Sequence, residues 1–330
     1  SLSGFESPGG GLIPHEWLEE AHRRLEGRVQ RTPLSFDPDN QLYLKWENRQ
    51  RTGSFKLRGA YNKLLTLQPW ELERGLVTAS AGNHGQGAAL AARELGARVI
   101  VFASAHAVPA KLDAMRALGA EVVLVPGGYE EGEGTARKYA QERGLTWVSP
   151  YNDGQVIAGQ STIAAEILEQ LEGIKTSAWV APVGGGGMIA GIGAVLQQLP
   201  SRPKLIGAQS VASPYFHALF HRGTQAGVQE QDSIADGLAG AVEEGSITIP
   251  LVRRLVDDIV LVQEQEIEQA VVYAWERYGE RIEGSAAAAL AAVLTGKVPE
   301  RPAVVVLSGG NIQPELHSQL LARWEAMVNG

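Results

Sequence analysis

The sequence predicts an α/β protein built as two lobes, each an open twisted parallel sheet covered by helices. Three observations carry this. Short apolar runs alternate with helical segments from residue 76 onward, the alternation occurs in two separate series, and small-residue turns sit where strands hand over to helices. In the first series Leu76-Val77-Thr78-Ala79 reads as a buried strand and Gly82 to Leu95 as an alanine-rich helix. Val99 to Phe102 is a second strand, and Pro109 to Leu118 a helix opened by proline. Val122 to Val125 is a third strand, Tyr129 to Arg143 a polar helix, and Leu145 to Val148 a fourth strand. In the second series Gly159 to Leu171 is a helix, Ala178 to Val183 a strand, Met188 to Leu199 a helix and Lys204 to Ala208 a strand. A helix over Glu264 to Tyr278, an alanine-rich helix after Gly284 and the strand Ala303 to Leu307 complete it. Consecutive βαβ units imply parallel strands, and two lobes imply an inter-lobe cleft as the place for a ligand.

Composition narrows the function. The 330 residues are 44% hydrophobic and 20% charged, enough for a large core. The net charge of −8 lacks the basic surplus that nucleic-acid binding needs, so an anionic ligand must be held by local donors. Cysteine is absent, which removes disulfides, thiolate metal sites and a cysteine nucleophile, and fits a reducing, cytoplasmic location. No apolar run is long enough to span a bilayer. Ser1 to Gly11 lacks the basic and apolar regions of a signal peptide. The chain ends soon after Ser308, so no C-terminal regulatory domain is expected.

Four segments carry chemistry. The first is Thr52-Gly53-Ser54-Phe55-Lys56-Leu57-Arg58-Gly59-Ala60. Ser54 before a helical run is a plausible N-cap, which would put Lys56 at a helix start where the dipole disfavours its ammonium form. A lysine held neutral suits imine chemistry, although a lone Gly-Ser-x-Lys is more often a solvated lysine. The second is Ser80-Ala81-Gly82-Asn83-His84-Gly85-Gln86-Gly87, between a strand and a helix. Its small residues let backbone amides converge on a carboxylate, or the turn merely caps the helix. The third is Gly184-Gly185-Gly186-Gly187-Met188, whose amides at a helix N-terminus suit a phosphate. Gly185-x-Gly187-x-x-Ala190 also fits a loose dinucleotide fingerprint, but the following strand ends Ile206-Gly207-Ala208-Gln209, without the acid that binds a ribose. The fourth is Leu307-Ser308-Gly309-Gly310-Asn311, which puts Ser308 at the carboxyl end of the last strand, where ligands bind, or in an ordinary turn.

Other patterns point away from alternative chemistries. His217-x-x-x-His221 has helical spacing but lacks the Glu of a zinc hydrolase and reads as a plain helix face. There is no Gly-x-Ser-x-Gly elbow. Glu130-Glu131-Gly132-Glu133 reads as a solvated helix start.

Taken in order, the four segments resemble the fold-type II pyridoxal-phosphate enzymes, tryptophan synthase beta-like in fold, and most closely their threonine/serine dehydratase and serine racemase branch. Arg31-Thr32-Pro33-Leu34, Val156-Ile157-Ala158-Gly159-Gln160 and Ala235-Asp236-Gly237 add to the match. Lys56 is followed by Leu57-Arg58-Gly59-Ala60, as in dehydratases, not by the Asp-Arg of cysteine and threonine synthases. Ala81 stands where serine racemases usually carry the serine that serves the second face of the substrate.

The resemblance implies pyridoxal 5'-phosphate as cofactor, carried as a Schiff base on Lys56. It implies a phosphate site at Gly184, Gly185, Gly186, Gly187 and Met188, a ring-hydroxyl contact from Asn83, Phe55 packed near the ring and Ser308 facing the pyridine nitrogen. The substrate carboxylate falls to Ser80, Ala81, Gly82, Asn83 and His84, with Gly237 nearby, and Glu283 lies near the site without a defined role. Residues 1–72 and 149–330 would form the large cofactor-binding domain and 73–148 a small mobile one. The implied reaction is dehydration and deamination of L-threonine to 2-oxobutanoate or L-serine to pyruvate, with racemisation or another β-hydroxy amino acid as the alternative. A non-catalytic cofactor-binding homologue is the alternative from another class. A homodimer or homotetramer is implied, with no nucleic-acid or membrane partner. Many members hold a divalent cation at a Glu and an Asp. Gln209 and Tyr215 stand there in this chain, so no metal is expected.

Overall fold

A computed structural model describes residues 13–330 and divides them into two compact units. The segment Ser1 to Gly11, read above for targeting signals, lies outside the described residues. One unit takes in residues up to Gln30 and Phe55–Thr162, the other Arg31–Ser54 and Ile163–Gly330. The helix Gly154–Leu171 begins in the first and ends in the second.

The first unit holds a four-stranded, all-parallel sheet. Its order is Glu121–Val125, Val99–Ser104, Leu76–Ala79, Thr146–Trp147. Alternate residues feed two cores, as the period of a strand requires. Leu76, Val99 and Val101 pack with Leu57, Tyr61 and Met115 on one face, while Val77, Ala79, Ile100 and Phe102 meet Ala136 and Ala140 on the other. The helices Asn83–Glu94, Pro109–Ala117 and Tyr129–Arg143 follow their strands as the hydrophobic pattern predicts. The acidic run does open a helix: the Glu131 carboxylate accepts the Gly128 amide at 2.8 Å, reaching back to the residue before the first turn.

The second unit holds a six-stranded sheet in the order Leu34–Asp37, Leu42–Trp46, Ala303–Leu307, Ala178–Pro182, Lys204–Ser210, Asp258–Val262. The last five strands are parallel, whereas Leu34–Asp37 pairs antiparallel with Leu42–Trp46 and makes the sheet mixed. Apart from Ser285 the helix Gly284–Leu294 is apolar all round, and its residues Gly284 to Val293 are buried, as such a sequence demands. The strands Ala303–Leu307 and Ala178–Pro182 are neighbours in this sheet. Their carboxyl ends therefore present Ser308 and the run from Gly184 to Met188 on one side of it, where open α/β sheets bind ligands.

Candidate active site

In the first unit, the helix Lys56–Leu65 starts at Lys56 itself. Ser54 is not its cap. Ser54 is held in an isolated antiparallel bridge to Gly309, so the helix begins later. Phe55 occupies the cap position with helical dihedrals and no side-chain cap bond. The Lys56 helix is fixed by close backbone approaches. A Cβ on Gly87 would lie 2.9 Å from the Leu57 nitrogen and 3.0 Å from the Lys56 carbonyl carbon. A Cβ on Gly159 would meet the Arg58 oxygen at 2.5 Å, and Gln160 accepts the Gly59 amide at 3.1 Å. Only glycine allows the helices Asn83–Glu94 and Gly154–Leu171 to approach Lys56 this closely.

The Lys56 side chain is half-buried by area, and its amine donates to the Pro150 carbonyl at 3.4 Å and lies 5.1 Å from the centre of the Phe55 ring. Loss of hydration pulls the amine from its usual 10.5 to about 8. Burial is the cause, and Lys56 also stands at the helix start that the sequence predicts. His84 is buried, and desolvation with the nearby Lys56 charge drops its pKa to about 3, so its ring is neutral. Thr78 donates its hydroxyl to the Val148 carbonyl at 2.6 Å, leaving its oxygen to accept from His84 Nε2 at 2.8 Å. Nε2 therefore carries the proton and Nδ1 a lone pair. The Ser80 oxygen accepts the Gly82 and Gly85 amides at 3.0 and 2.8 Å, which folds the turn back on itself before Asn83 opens the helix. Ala81 lies in the same turn and brings no proton-transferring group.

In the second unit, Gly186 has a φ of +90°, and a Cβ there would lie 2.7 Å from Phe216 Cε2. The turn is thus a bare-backbone cradle leading into the helix Gly187–Leu196, whose first amides lack helical partners. Met188 is buried at its start. Ser308 is buried after the central strand Ala303–Leu307. The Gly309–Asn311 turn that follows it is pinned on several sides. Gly310 donates to the Gly53 carbonyl and the Asn311 side chain to the Thr52 carbonyl, both at 2.9 Å, while Glu283 Oε2 accepts the Asn311 amide at 2.8 Å. Glu283 is buried, and a Cβ on Gly237 would lie 3.8 Å from its Oε1. Gly237 donates to Ser285 Oγ at 2.9 Å. Each by itself, the backbone cradle has the chemistry for a phosphate and the low-pKa amine that for an aldehyde carbon, the two groups that pyridoxal phosphate carries.

Gln209 and Tyr215 are engaged otherwise. The Gln209 amide bonds Val183 and His217, and the Tyr215 hydroxyl donates to Glu230 at 3.2 Å. His221 contacts the Ile259 carbonyl at 3.1 Å and Asp258 at 3.2 Å. No group of three or more His, Asp or Glu suited to a metal occurs among the described residues, and no helix among them is long and apolar enough to cross a membrane. Sequence reasoning missed the Pro150 carbonyl, the Thr78 link to His84 and the packing roles of Gly87 and Gly159. Gly87 and Gly159 lay within the quoted motifs, whereas a backbone carbonyl leaves no residue-type signal.

The pyridoxal-phosphate dependent enzyme family matches residues 25–309. L-threonine ammonia-lyase of Thermotoga maritima is 38% identical over 317 residues, covering 94% of this chain and 78% of that protein. The crystal structure of serine racemase from Dictyostelium discoideum superposes with a TM-score of 0.82 at 33% identity, covering 90% of this chain and 98% of that one. The processed form of threonine deaminase isoform 2 from Solanum lycopersicum superposes with a TM-score of 0.83 at 31% identity, covering 96% of each chain. With these matches, the chain belongs to the pyridoxal-phosphate dependent enzymes, with the fold-type II architecture its sequence led us to expect.

Proposed function

We propose that the protein is a lyase that dehydrates and deaminates a β-hydroxy amino acid, turning L-threonine into 2-oxobutanoate and ammonia, or L-serine into pyruvate and ammonia. The observation that carries the reading is Lys56: a helix-start lysine whose amine is lowered to about 8 by burial, in a chain 38% identical to an L-threonine ammonia-lyase. Lys56 would hold the cofactor covalently, and its free amine would take the Cα proton as general base. The Gly184 to Gly187 amides and Met188 hold the phosphate. Asn83 would bond the ring hydroxyl, Phe55 would pack near the ring and Ser308 would face the pyridine nitrogen. When bound, the cofactor supplies an electron sink for the charge left at Cα.

The turn Ser80, Ala81, Gly82, Asn83 and His84 receives the substrate carboxylate, with Gly237 nearby. A neutral His84 with its proton on Nε2 adds no second cation beside Lys56, which helps keep the Lys56 amine in its basic form. Ser308 would be a neutral partner for the pyridine nitrogen, and the β-hydroxyl would leave as water with a proton delivered through the phosphate group held at Gly184 to Gly187. Ala81 has no proton to give, so proton transfer is confined to the Lys56 face, and elimination is favoured over racemisation. Glu283 orients the turn after Ser308 through the Asn311 amide.

Residues 1–72 and 149–330 serve as the cofactor-binding domain and 73–148 as the small mobile one in this reading, in a cytoplasmic homodimer or homotetramer. The test measures 2-oxo acid release and enantiomer exchange on L-threonine, L-serine and 3-hydroxyaspartate. Elimination on threonine or serine faster than exchange is expected. Exchange faster than elimination would make the protein a racemase.

A further inference from the structure

The mechanism leaves one buried polar side chain unused next to the glycine turn. Gln209, at the end of the strand Lys204–Ser210, is 1% exposed and uses both ends of its amide. Nε2 donates to the Val183 carbonyl at 2.8 Å, and Oε1 accepts the His217 amide at 2.9 Å. The partners fix the orientation, because a carbonyl can only accept and a backbone amide can only donate.

Each partner leads to the glycine turn. Val183 immediately precedes Gly184, and its own amide donates to the Ala208 carbonyl at 2.9 Å, so the last residue before the turn is held at both its polar atoms by the neighbouring strand. His217 lies in the first turn of the helix Tyr215–Arg222, which has no side-chain cap from its own flank. Gln209 thus supplies that helix with an acceptor for an amide that would otherwise lack one. The same helix carries Phe216, fully buried, whose ring would stand 2.7 Å from a Cβ on Gly186. The contacts close a circuit: Gln209 to Val183, along the turn to Gly186, across to Phe216, and back through His217 to Gln209.

We infer that Gln209 is a positioning residue for phosphate recognition. Its amide locks the entry of the glycine turn to the helix that packs beneath it, so the turn's amides are held ready for a phosphate before one binds. The inference rests on the reading of Gly184 to Gly187 as the phosphate cradle. Preorganised donors bind an anion without a further ordering cost, and a turn of bare glycines has the most freedom to lose.

The test compares binding of pyridoxal phosphate and pyridoxal to wild-type, Gln209→Met and Gln209→Glu apoenzymes, following the absorbance of the bound cofactor. Pyridoxal links to Lys56 by the same aldehyde but has no phosphate, so the ratio of the two affinities isolates the cradle. Gln209→Met keeps the shape and removes both hydrogen bonds. Gln209→Glu keeps the acceptor for His217 and replaces the donor to Val183 with a second acceptor. Both should bind pyridoxal phosphate roughly 10-fold more weakly, the scale of one buried carbonyl left unpaired, with pyridoxal affinity held within about 2-fold. Unchanged affinity for both ligands, or equal weakening of both, overturns the inference. So does failure of both variants to fold, since that makes Gln209 a scaffold residue. If the wild type does not prefer pyridoxal phosphate to pyridoxal, the cradle reading fails first and takes the inference with it. If the wild type shows the preference and Gln209→Met retains it, the inference alone fails.

Discussion

The candidate site residues fall into two sets, to which the proposed function gives different work. The set in the first unit centres on two perturbed ionisable groups, Lys56 lowered to about 8 and His84 to about 3, both chiefly by burial, beside the neutral turn Ser80 to Asn83. The set in the second unit is built of backbone amides on glycines and of neutral hydroxyls, with Gln209 and the buried Glu283 tying turns in place. In the proposed function reactivity comes from groups whose charge burial disfavours, and phosphate recognition from dipoles that keep no charge of their own. A change in the first set should strike the chemical step and its pH dependence, and one in the second should strike cofactor affinity.

The largest effect belongs to Lys56→Ala. It should lower turnover by roughly 10^3-fold and abolish covalent cofactor attachment, because the proposed function makes base and anchor the same amine. Retained attachment would break the division at its first residue. Next come two glycines that separate the sets. Gly186→Ala forces a side chain onto a φ of +90° and against Phe216. It should weaken pyridoxal phosphate binding by roughly 10-fold or more, at a strain of about 1–3 kcal/mol. Gly87→Ala drives a methyl into the backbone of Lys56 and Leu57. It should cut kcat with a smaller change in cofactor affinity, at about 1–3 kcal/mol of stability. Equal losses in both parameters for both variants would merge the sets.

The pH dependence follows from the same contrast. His84 is depressed in the folded state from 6.5 to about 3, so the unfolded chain takes up a proton first as pH falls. Stability is lost from about pH 6.5 downward until the folded pKa is passed, on the order of 2 kcal/mol by pH 5 at about 1.4 kcal/mol per pKa unit. Denaturant melts at pH 7 and pH 5 should show the loss in the wild type and less of it in His84→Asn. The Lys56 amine, at about 8, should make the rate of cofactor attachment rise with pH and level off above 8, since only the neutral amine attacks an aldehyde. The smallest effect is expected for Glu283→Gln, which keeps an acceptor for the Asn311 amide. Its cofactor affinity and kcat should stay within roughly 3-fold of wild type.

The strands and the helices after them were legible because their apolar runs keep a strict period and end at glycine or proline. Tyr129–Arg143, Glu264–Tyr278 and Ala303–Leu307 run as their patterns predict. The antiparallel edge strand Leu34–Asp37 was not legible, because Leu-Ser-Phe-Asp is too short and mixed to show a period. The helix Gly154–Leu171 starts one turn and a half before the expected Gly159, and its signal was present: the Asp153 carboxylate accepts the Gln155 and Val156 amides at 2.8 and 3.1 Å. The site motifs were legible as motifs, but what the neighbouring residues do was not. Gln209 read as an absent acid, and its role came only from the two backbone groups that the fold brings to its amide.

The most direct test of the division is to find where the cofactor attaches. Borohydride reduction of the holoenzyme followed by mass spectrometry of its peptides should place a single pyridoxyl phosphate group on Lys56. A group on any other lysine, or none after reduction, would contradict the account.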